Sequence, residues 1–511
     1  MKAKLLLILV TLFSIPAFSQ DATKVFDEVK TVNIRSSGVI KKNNVVKGYY
    51  NFYEFDKVDR KTRIFKLNLL DENLNSLGTK EIEGPKEWEL VSSGFDGNNF
   101  CFKFWNEKEK TFELKVYDQQ AKEVNSITTK INYKPSGMKY TQFKQGVSPE
   151  LGIVENSGFV NYVYNDPNDA FIINYAGASG QKSWDHTYEP EGKSRIMFPT
   201  YLNGNNDIIL TAVTKIERGM YSFKTQNSLV ANSVKDGAEL FDLPTEFDGN
   251  YVVPVNAVFE DGKIIVIGLN YKQAKTFTTP PDGFAFLELD KTGKLLKSNF
   301  KTFDESLGKY LTIENGKLDG GYFLYIHDIV KTKNNTNIVI AEKFKKPGGS
   351  GALSALGAMT GGSFVSLQLE NMVVIEYDKN GNVVQAQEIQ KAKGTTNSFP
   401  SYSGFLSPYL LATAAKFMGW MDYMYTMKSD DNSEITFSFV DYDKLDNDAK
   451  KTKNFGQIRY KNGKFTSDKI AIKKEKATWS AILPAKTNHV IQVSYFKKDK
   501  KLTMDMIKLN N

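Results

Sequence analysis

The chain has 511 residues and a formal net charge of +8, and 41% of its residues are hydrophobic, enough to build a large folded core. Its lysines are interspersed with acidic residues rather than gathered into a basic stripe, so we expect no nucleic-acid partner. The single cysteine, Cys101, excludes an intramolecular disulfide, and its place in an apolar, strand-like segment predicts a buried and unreactive side chain.

The first 19 residues have the composition of a secretory signal peptide. Lys2 and Lys4 give a basic start, an apolar run follows at Leu5–Phe13, and small residues stand at the positions that a signal peptidase reads, Ala17 and Ser19. We therefore predict cleavage after Ser19 and export to the periplasm or beyond it. No cysteine follows the cleavage point, so a lipoprotein anchor is not expected.

Residues 20–511 are predicted to form one domain built from a repeated strand-pair unit. In each unit a glycine turn leads into an apolar strand, a polar loop, a second alternating strand and a turn rich in Asp, Asn and Gly. Three turn glycines, Gly204, Gly262 and Gly320, are equally spaced, which indicates repetition of one supersecondary unit. Eight such pairs can be traced along the chain.

Four antiparallel strands per unit, repeated around a ring, predict an all-β fold, a β-propeller of eight blades. Seven blades are the alternative if the weak unit that begins at Asp207 is not a blade. The eighth unit stops after its third strand, whereas a strand-like segment, Lys30–Arg35, precedes the first unit. We predict that Lys30–Arg35 supplies the missing outer strand and closes the ring, because a sheet edge would otherwise stay exposed.

The segment Ala176–Trp184 reads Ala-Gly-Ala-Ser-Gly-Gln-Lys-Ser-Trp. It resembles the docking motif of quinoprotein-type propellers, in which the tryptophan packs between neighbouring blades. Asp290–Gly293 begins in a similar way, but Lys297 stands where the motif has tryptophan. The whole pattern resembles uncharacterised secreted bacterial proteins with propeller-like repeats. These resemblances imply the fold, and they imply no established activity and no cofactor.

Two segments depart from the repeat. Gly348–Ser363 is a glycine-rich insertion in the sixth unit, for which a flexible loop is the favoured interpretation, and a lid over the central channel or a partner contact is the alternative. Leu406–Phe417 is short and rich in Ala and Leu, which predicts a buried helix. The apolar run continues to Tyr425 but is interrupted by Lys416 and Asp422, so we predict no transmembrane segment.

Residues with obvious catalytic or metal-binding potential are few. The three histidines, His186, His327 and His489, lie far apart in the sequence and have no His or Cys neighbour at ligand spacing. We therefore predict no metal site and no cofactor. The chain contains no phosphate-binding loop and no nucleophile motif, and we assign no catalytic residue.

Two acidic clusters invite a calcium interpretation, namely Asn165–Asp169 and the group Asp441, Asp443, Asp446 and Asp448. Neither has the glycine and the terminal glutamate of a calcium-binding loop. We interpret both as surface turns, with a calcium site as the alternative.

The densest mixture of hydrogen-bonding and stacking side chains is formed by Trp184, Asp185, His186 and Tyr188, which are the candidate binding residues. Ordinary surface polarity is the favoured interpretation of this group. We predict an exported, non-enzymatic binding or scaffold protein of the cell envelope, with a protein or a glycan as its partner. The alternatives are a propeller-type hydrolase or lyase that acts on polysaccharide, and a structural envelope protein.

Overall fold

The structure is a computed structural model of the chain. It describes residues 20–32, 36–42, 45–131, 151–165, 170–178, 180–189, 195–218, 223–272, 277, 279–319, 321–346, 364–391, 395–400, 407–429, 431–444, 451–471, 477–486 and 489–509. Regular structure in these ranges is almost all β-strand, with two short helices, α1 (Phe303–Leu307) and α2 (Pro408–Phe417). Neither of these described helices has the length and hydrophobicity needed to cross a membrane.

The strands form eight four-stranded antiparallel blades arranged as a β-propeller, which confirms the predicted fold and the count of eight. Blade 1 is built from β2 (Ser37–Lys42), β3 (Val45–Lys57), β4 (Thr62–Asp71) and β5 (Ser76–Pro85), and blade 2 from β6 (Trp88–Phe95), β7 (Phe100–Asn106), β8 (Thr111–Tyr117) and β9 (Glu123–Lys130). Blade 3 is built from β10 (Gly152–Val154), β11 (Gly158–Asn165), β12 (Ala170–Gly177) and β13 (Trp184–Tyr188), and blade 4 from β14 (Arg195–Gly204), β15 (Ile208–Arg218), β16 (Phe223–Ser233) and β17 (Glu239–Pro244).

Blades 5 to 8 follow the same scheme. Blade 5 is built from β19 (Asn250–Glu260), β20 (Lys263–Tyr271), β21 (Gly283–Leu289) and β22 (Leu295–Thr302), and blade 6 from β25 (Phe323–Lys331), β26 (Asn337–Lys345), β27 (Phe364–Tyr377) and β28 (Val383–Ile389). Blade 7 is built from β30 (Tyr423–Lys428), β31 (Glu434–Lys444), β32 (Lys451–Lys461) and β33 (Lys464–Ala471), and blade 8 from β34 (Trp479–Pro484), β35 (His489–Phe496), β36 (Lys501–Lys508) and β1 (Gln20–Phe26). The remaining short strands are β18 (Glu246–Phe247), β23 (Ile313–Glu314), β24 (Lys317–Leu318) and β29 (Thr395–Pro400).

An aspartate fixes the turn between the third and fourth strands in several blades. In blade 1, the carboxylate of Asp71 accepts hydrogen bonds of 2.8 Å from the backbone N–H groups two and four residues further on. Asp118, Asp290 and Asp378 repeat this pattern in blades 2, 5 and 6. The aspartate side chain accepts the hydrogen bonds for which the turn has no backbone acceptor, so a few neighbouring residues are enough to form each turn. This agrees with the Asp-rich turns predicted from the sequence.

The N-terminal strand closes the ring. β1 pairs antiparallel with β36, placing Phe26 opposite Leu502, and the side chains of Thr23 and Asp505 share a hydrogen bond of 2.8 Å. Blade 8 therefore takes three strands from one end of the described chain and its outermost strand from the other. This pairing covers the sheet edge that β36 would otherwise expose.

The prediction of closure is confirmed, but the strand assigned to it was wrong. The closing strand is Gln20–Phe26 rather than Lys30–Arg35. In the described part of the latter segment, Thr31 forms an isolated bridge to Glu54, and the backbone N–H of Lys30 donates to the carbonyl of Glu54. The chain has to cross from the outer edge of blade 8 to the inner strand of blade 1, and these residues are used for that crossing.

The ring has two different faces. The turn face carries the short turns that join the first strand to the second and the third to the fourth within each blade. The loop face carries the loops between second and third strands and the connections between blades. The first strand of each blade faces the ring axis, and neighbouring first strands contact one another, as β2 does with β6 and β34. In β25 the register shifts between Ile326 and Asp328, so His327 is the extra residue of a bulge on an axial strand.

The hydrophobic core consists of clusters packed between neighbouring blades. Cys101 is completely buried in one of them, which confirms the predicted burial, and burial raises the pKa of its thiol. The predicted helix in Leu406–Phe417 is also confirmed, since α2 begins after Ser407, whose hydroxyl accepts from the N–H of Leu410. α2 packs on β25 from the loop face, with Leu411 completely buried.

Candidate functional site

Trp184 lies between blades 3 and 4. Its indole Nε1 donates a hydrogen bond of 2.8 Å to the carbonyl of Val234, and its side chain is buried. The ring covers Gly237, whose φ is +76° and where an added Cβ would stand 2.5 Å from Cε3 of the indole. Glycine is required there by both the backbone angle and the close approach. Trp184 thus packs between two blades, as the docking motif implied.

The other three candidate binding residues share the same strand. Tyr188 is buried, its hydroxyl accepts a hydrogen bond of 2.9 Å from the amide of Asn232, and burial raises the pKa of the phenol. His186 is half-buried with its ring 4.6 Å from that of Tyr188, whereas Asp185 is exposed. β13 is the outermost strand of blade 3, so the structure does not bring these side chains to the ring axis. Ligand binding by them stays a prediction.

A buried cluster of ionisable side chains lies at the junction of blades 6 and 7. Lys391 Nζ donates to Glu342 Oε1 and to Asp422 Oδ2, both at 2.6 Å. Glu342 Oε2 lies 3.2 Å from His327 Nε2 and accepts the backbone N–H of Asp422 at 3.2 Å. These four side chains are 0–4% exposed. Lys416, at the end of α2, reaches the carbonyl of His327 at 3.5 Å.

The charges of this cluster balance when His327 is neutral. Two ammonium groups, those of Lys391 and Lys416, then oppose the carboxylates of Glu342 and Asp422. Burial lowers the pKa of His327 to about 4, although the hydrogen bond with Glu342 raises it in part. Burial also raises the pKa of Glu342, but the charge of Lys391 and the hydrogen bond with His327 outweigh burial and lower this pKa overall. At neutral pH the carboxylate is therefore ionised and the imidazole is neutral.

The cluster has the geometry of a structural junction between blades 6 and 7. The ring of His327 stacks on Tyr423 at 4.5 Å and meets the edge of Tyr325 at 5.1 Å, so aromatic rings close the space around it. Its members come from β25, β26, the end of blade 6 and the start of blade 7. A buried ion pair of this kind requires both partners, because either charge alone would be strongly destabilising. It therefore joins the two blades and α2.

Charged side chains also converge on the ring axis at the turn face. Lys41 comes from β2, Lys428 from β30 and Asp328 from β25. Burial lowers the pKa of both lysines, and the negative charge of Asp328 offsets part of this effect at each of them. Lys41 Nζ reaches the carbonyl of Thr426, two blades away, at 3.5 Å. Neither lysine forms an ion pair with any residue that the structure describes, so two partly desolvated amines lie at the mouth of the channel.

A cavity of 290 Å³ opens beside this mouth between blades 7, 8 and 1. We call it the basic cavity, and its ionisable lining residues are Lys47, Glu72, Lys428, Glu434, Arg459 and Lys486. Glu434 is already engaged by Arg459 at 3.3 Å and by Lys461 at 3.0 Å. Four cationic side chains against two carboxylates leave an excess of positive charge. The volume lies just below the range for small-molecule sites, about 300–1,000 Å³.

The basic cavity is suited to a small anion. Lys428 belongs both to the cavity lining and to the group of amines at the channel mouth. A partly desolvated ammonium interacts more strongly with an anion than a hydrated one does, because the local dielectric screens the pair less. Ser429 and Gln457 add hydrogen-bonding groups to the lining. The arrangement supplies charge and hydrogen bonds for holding a ligand.

The sequence matches the model of a protein family, described as "Family of unknown function (DUF6770)", over residues 1–510. The chain belongs to this family. No curated protein sequence matches it significantly. The similar solved structures include the polysaccharide lyase Uly1 (8% identity, 83% of this chain and 90% of that chain, TM-score 0.35), the WD40 domain of SCAP from fission yeast (8%, 96% and 98%, 0.37) and prolyl oligopeptidase B from Galerina marginata (7%, 94% and 55%, 0.38). These likenesses concern the fold alone.

The structure also bears on the acidic clusters and on the insertion. Over the described ranges, no group of three or more His, Cys, Asp or Glu side chains is placed to hold a metal ion. The surface-turn interpretation is wrong for Asp441 and Asp443, which both lie on β31. Asp441 is completely buried and pairs with Lys469. Asp446 and Asp448 lie outside the described residues, as do positions 166–169. So does the insertion Gly348–Ser363, which falls between β26 and β27.

Proposed function

We propose that this protein is an exported, non-enzymatic binding protein of the cell envelope that captures an acidic sugar of a glycan in the basic cavity. The observation that carries the proposal is the pair of amines at the channel mouth, Lys41 and Lys428, which lack an ion-pair partner among the described residues, together with the place of Lys428 in the lining of the basic cavity. A carboxylated or sulfated sugar would supply an ion-pair partner for these amines and use the polar lining for its hydroxyl groups.

Export is supported by the composition of residues 1–19 and by the position of the first strand. β1 begins at Gln20, the residue that directly follows the predicted cleavage point. Removal of the signal segment would leave the closing strand of the ring intact. A role in binding is supported by the excess of positive charge in the basic cavity, because four cationic side chains attract an acidic ligand, and Glu434, one of the two lining carboxylates, is already paired with Arg459 and Lys461.

The proposal is tested with a glycan array that contains acidic and neutral oligosaccharides, followed by calorimetric titration of the best acidic ligand. Lys428→Gln and Lys41→Gln should each weaken binding by about tenfold or more, because a hydrogen bond to a charged group contributes about 1.5–3 kcal/mol. Lys108→Gln is the control, because this side chain is 68% exposed on a loop of blade 2, on the opposite face. Binding should also weaken as salt is added.

Two results would overturn the proposal. Equal binding of acidic and neutral glycans would remove the role of the amines, as would unchanged affinity in both channel variants. Mass spectrometry of the recovered ligand separates binding from catalysis. We expect an unaltered oligosaccharide, and a shortened or unsaturated product would instead favour an enzyme that acts on polysaccharide.

A further inference from the structure

A second and larger cavity lies on the turn face between blades 1 and 2. Its volume is 610 Å³, and we call it the apolar cleft. The walls come from both blades and include Leu67 and Leu69 on one side and Phe95 and Phe100 on the other, all of them at most 9% exposed as residues. At the entrance Leu77 is 65% exposed, an unusual position for a large apolar side chain beside an apolar cavity.

A glycine in the lining of the cleft has open space beside it. Gly78 lies on β5 opposite Leu69 of β4, and an added Cβ at Gly78 would meet no heavy atom within 4 Å. Its φ is not in the left-handed region, so the backbone does not require glycine at this position. Glycine within a strand often marks a place where another molecule approaches the backbone closely. Position 78 could thus accommodate a larger residue, and the lack of a side chain at Gly78 leaves the space in the cleft free.

The charges at the rim of the cleft have one sign. Lys47 and Lys80 are exposed there, and neither forms an ion pair with a described residue. The lining contains no carboxylate, and its other polar side chains are those of Thr79, Gln119 and Gln120. An apolar interior with a cationic rim is complementary to a molecule that carries a hydrocarbon chain and an anionic head group.

We propose that the apolar cleft binds the hydrocarbon chain of an anionic amphiphile, with Lys47 and Lys80 holding its head group. The chain would pack against Leu77 and the buried walls, and its removal from water would drive binding. A cavity of 610 Å³ is well inside the size range of small-molecule sites, and an unbranched chain suits a cleft between two sheets. This site is separate from the basic cavity, although Lys47 also lines that cavity, so the two head-group positions are neighbours on the same face.

The test uses palmitate as the probe in calorimetric titrations of the full-length protein. Gly78→Trp should fill the cleft and weaken palmitate binding at least tenfold, whereas Thr128→Trp, on the exposed side of another outer strand, should leave it unchanged. Equal thermal midpoints for the two variants establish that both fold. Replacing both Lys47 and Lys80 by Gln should weaken palmitate binding several-fold but leave binding of hexadecanol, the uncharged analogue, unchanged.

Two further arms identify the source of the ligand and separate this site from the proposed glycan site. Vesicles containing phosphatidic acid report on a membrane lipid, and palmitate in solution reports on a free fatty acid. The proposal is supported if the wild type binds either probe and Gly78→Trp does not. Lys428→Gln should impair acidic-glycan binding without changing palmitate affinity. The proposal is overturned if neither probe binds the wild type, or if Gly78→Trp binds both as the wild type does.

Discussion

Replacing Lys391 by methionine should be among the most damaging single substitutions in this protein. Methionine approximates the apolar stem of lysine but leaves the carboxylates of Glu342 and Asp422 buried next to each other without their ammonium partner. Removing one partner of a buried ion pair costs about 3–5 kcal/mol. Because Lys391 joins two carboxylates at once, we expect a loss in the upper part of this range.

The loss should depend on pH in a characteristic way. In the wild type the pKa of Glu342 is lowered from its usual 4.5, so its contribution to stability is present above pH 4.5 and is lost as pH falls through the lower folded-state pKa. Without Lys391, burial becomes the dominant influence and raises this pKa. The sign then reverses, since a raised pKa gives stability that is present below pH 4.5 and lost as pH rises. The variant should therefore differ from the wild type more at pH 7 than at pH 4.

Urea unfolding followed by tryptophan fluorescence at pH 7 and at pH 4 measures both effects. Lys215→Met is the matched control, since Lys215 pairs with Asp242 at 2.6 Å on the surface, with side chains 20% and 32% exposed. Such a pair contributes at most about 1 kcal/mol. The reasoning is refuted if Lys391→Met costs no more than Lys215→Met, or if its cost is the same at both pH values.

Three further predictions concern the junctions of the ring. Burial lowers the pKa of His327 from 6.5 to about 4, so the free energy of unfolding of the wild type should fall by about 3 kcal/mol as pH is lowered through this interval. Urea unfolding of His327→Phe, measured over the same pH range, should lack this pH dependence. Gly237→Ala should lower the free energy of unfolding by about 1–2 kcal/mol because of the backbone angle and by about 1–3 kcal/mol more because of the clash with Trp184. Gly463→Ala is the control, since its φ is +74° but no atom lies within 4 Å of the added Cβ, so only the backbone cost is expected. Equal losses of stability for the two variants in calorimetry would contradict the packing of the indole. Deleting Gln20–Phe26 should lower the unfolding midpoint and cause concentration-dependent association in light scattering, and a stable monomeric variant would contradict the closure.

The blade pattern was predictable because its signals are local. Asp71, Asp118, Asp290 and Asp378 each determine a turn through neighbouring backbone groups, so the sequence of a few residues suffices to find it. The closing strand was not predictable in the same way. Gln20–Phe26 has its partner at the far end of the chain, and no local signal distinguishes it from the equally strand-like segment that follows.

The charged sites were harder to foresee than the fold. Lys416 and Asp422 were visible only as charges that interrupt an apolar run, and that was the one available signal, because a charge in such a context needs a partner when it is buried. The partner of Asp422 is Lys391, which no sequence spacing connects to it. Lys41 and Lys428 look like ordinary lysines at strand ends, and ring closure alone brings them to a common axis.

The pairing of β1 with β36 also determines the order of events in time. The bond between Thr23 and Asp505 joins residues that are 482 positions apart, so β1 is made first and remains without its partner until almost all of the described chain has followed. Contacts of such long range are formed late and slow folding. A chain cut short would keep two unmatched sheet edges, one on β1 and one on its last complete blade. The ring can therefore close only when the chain is synthesised as far as β36, and shorter chains would be susceptible to proteolysis and aggregation.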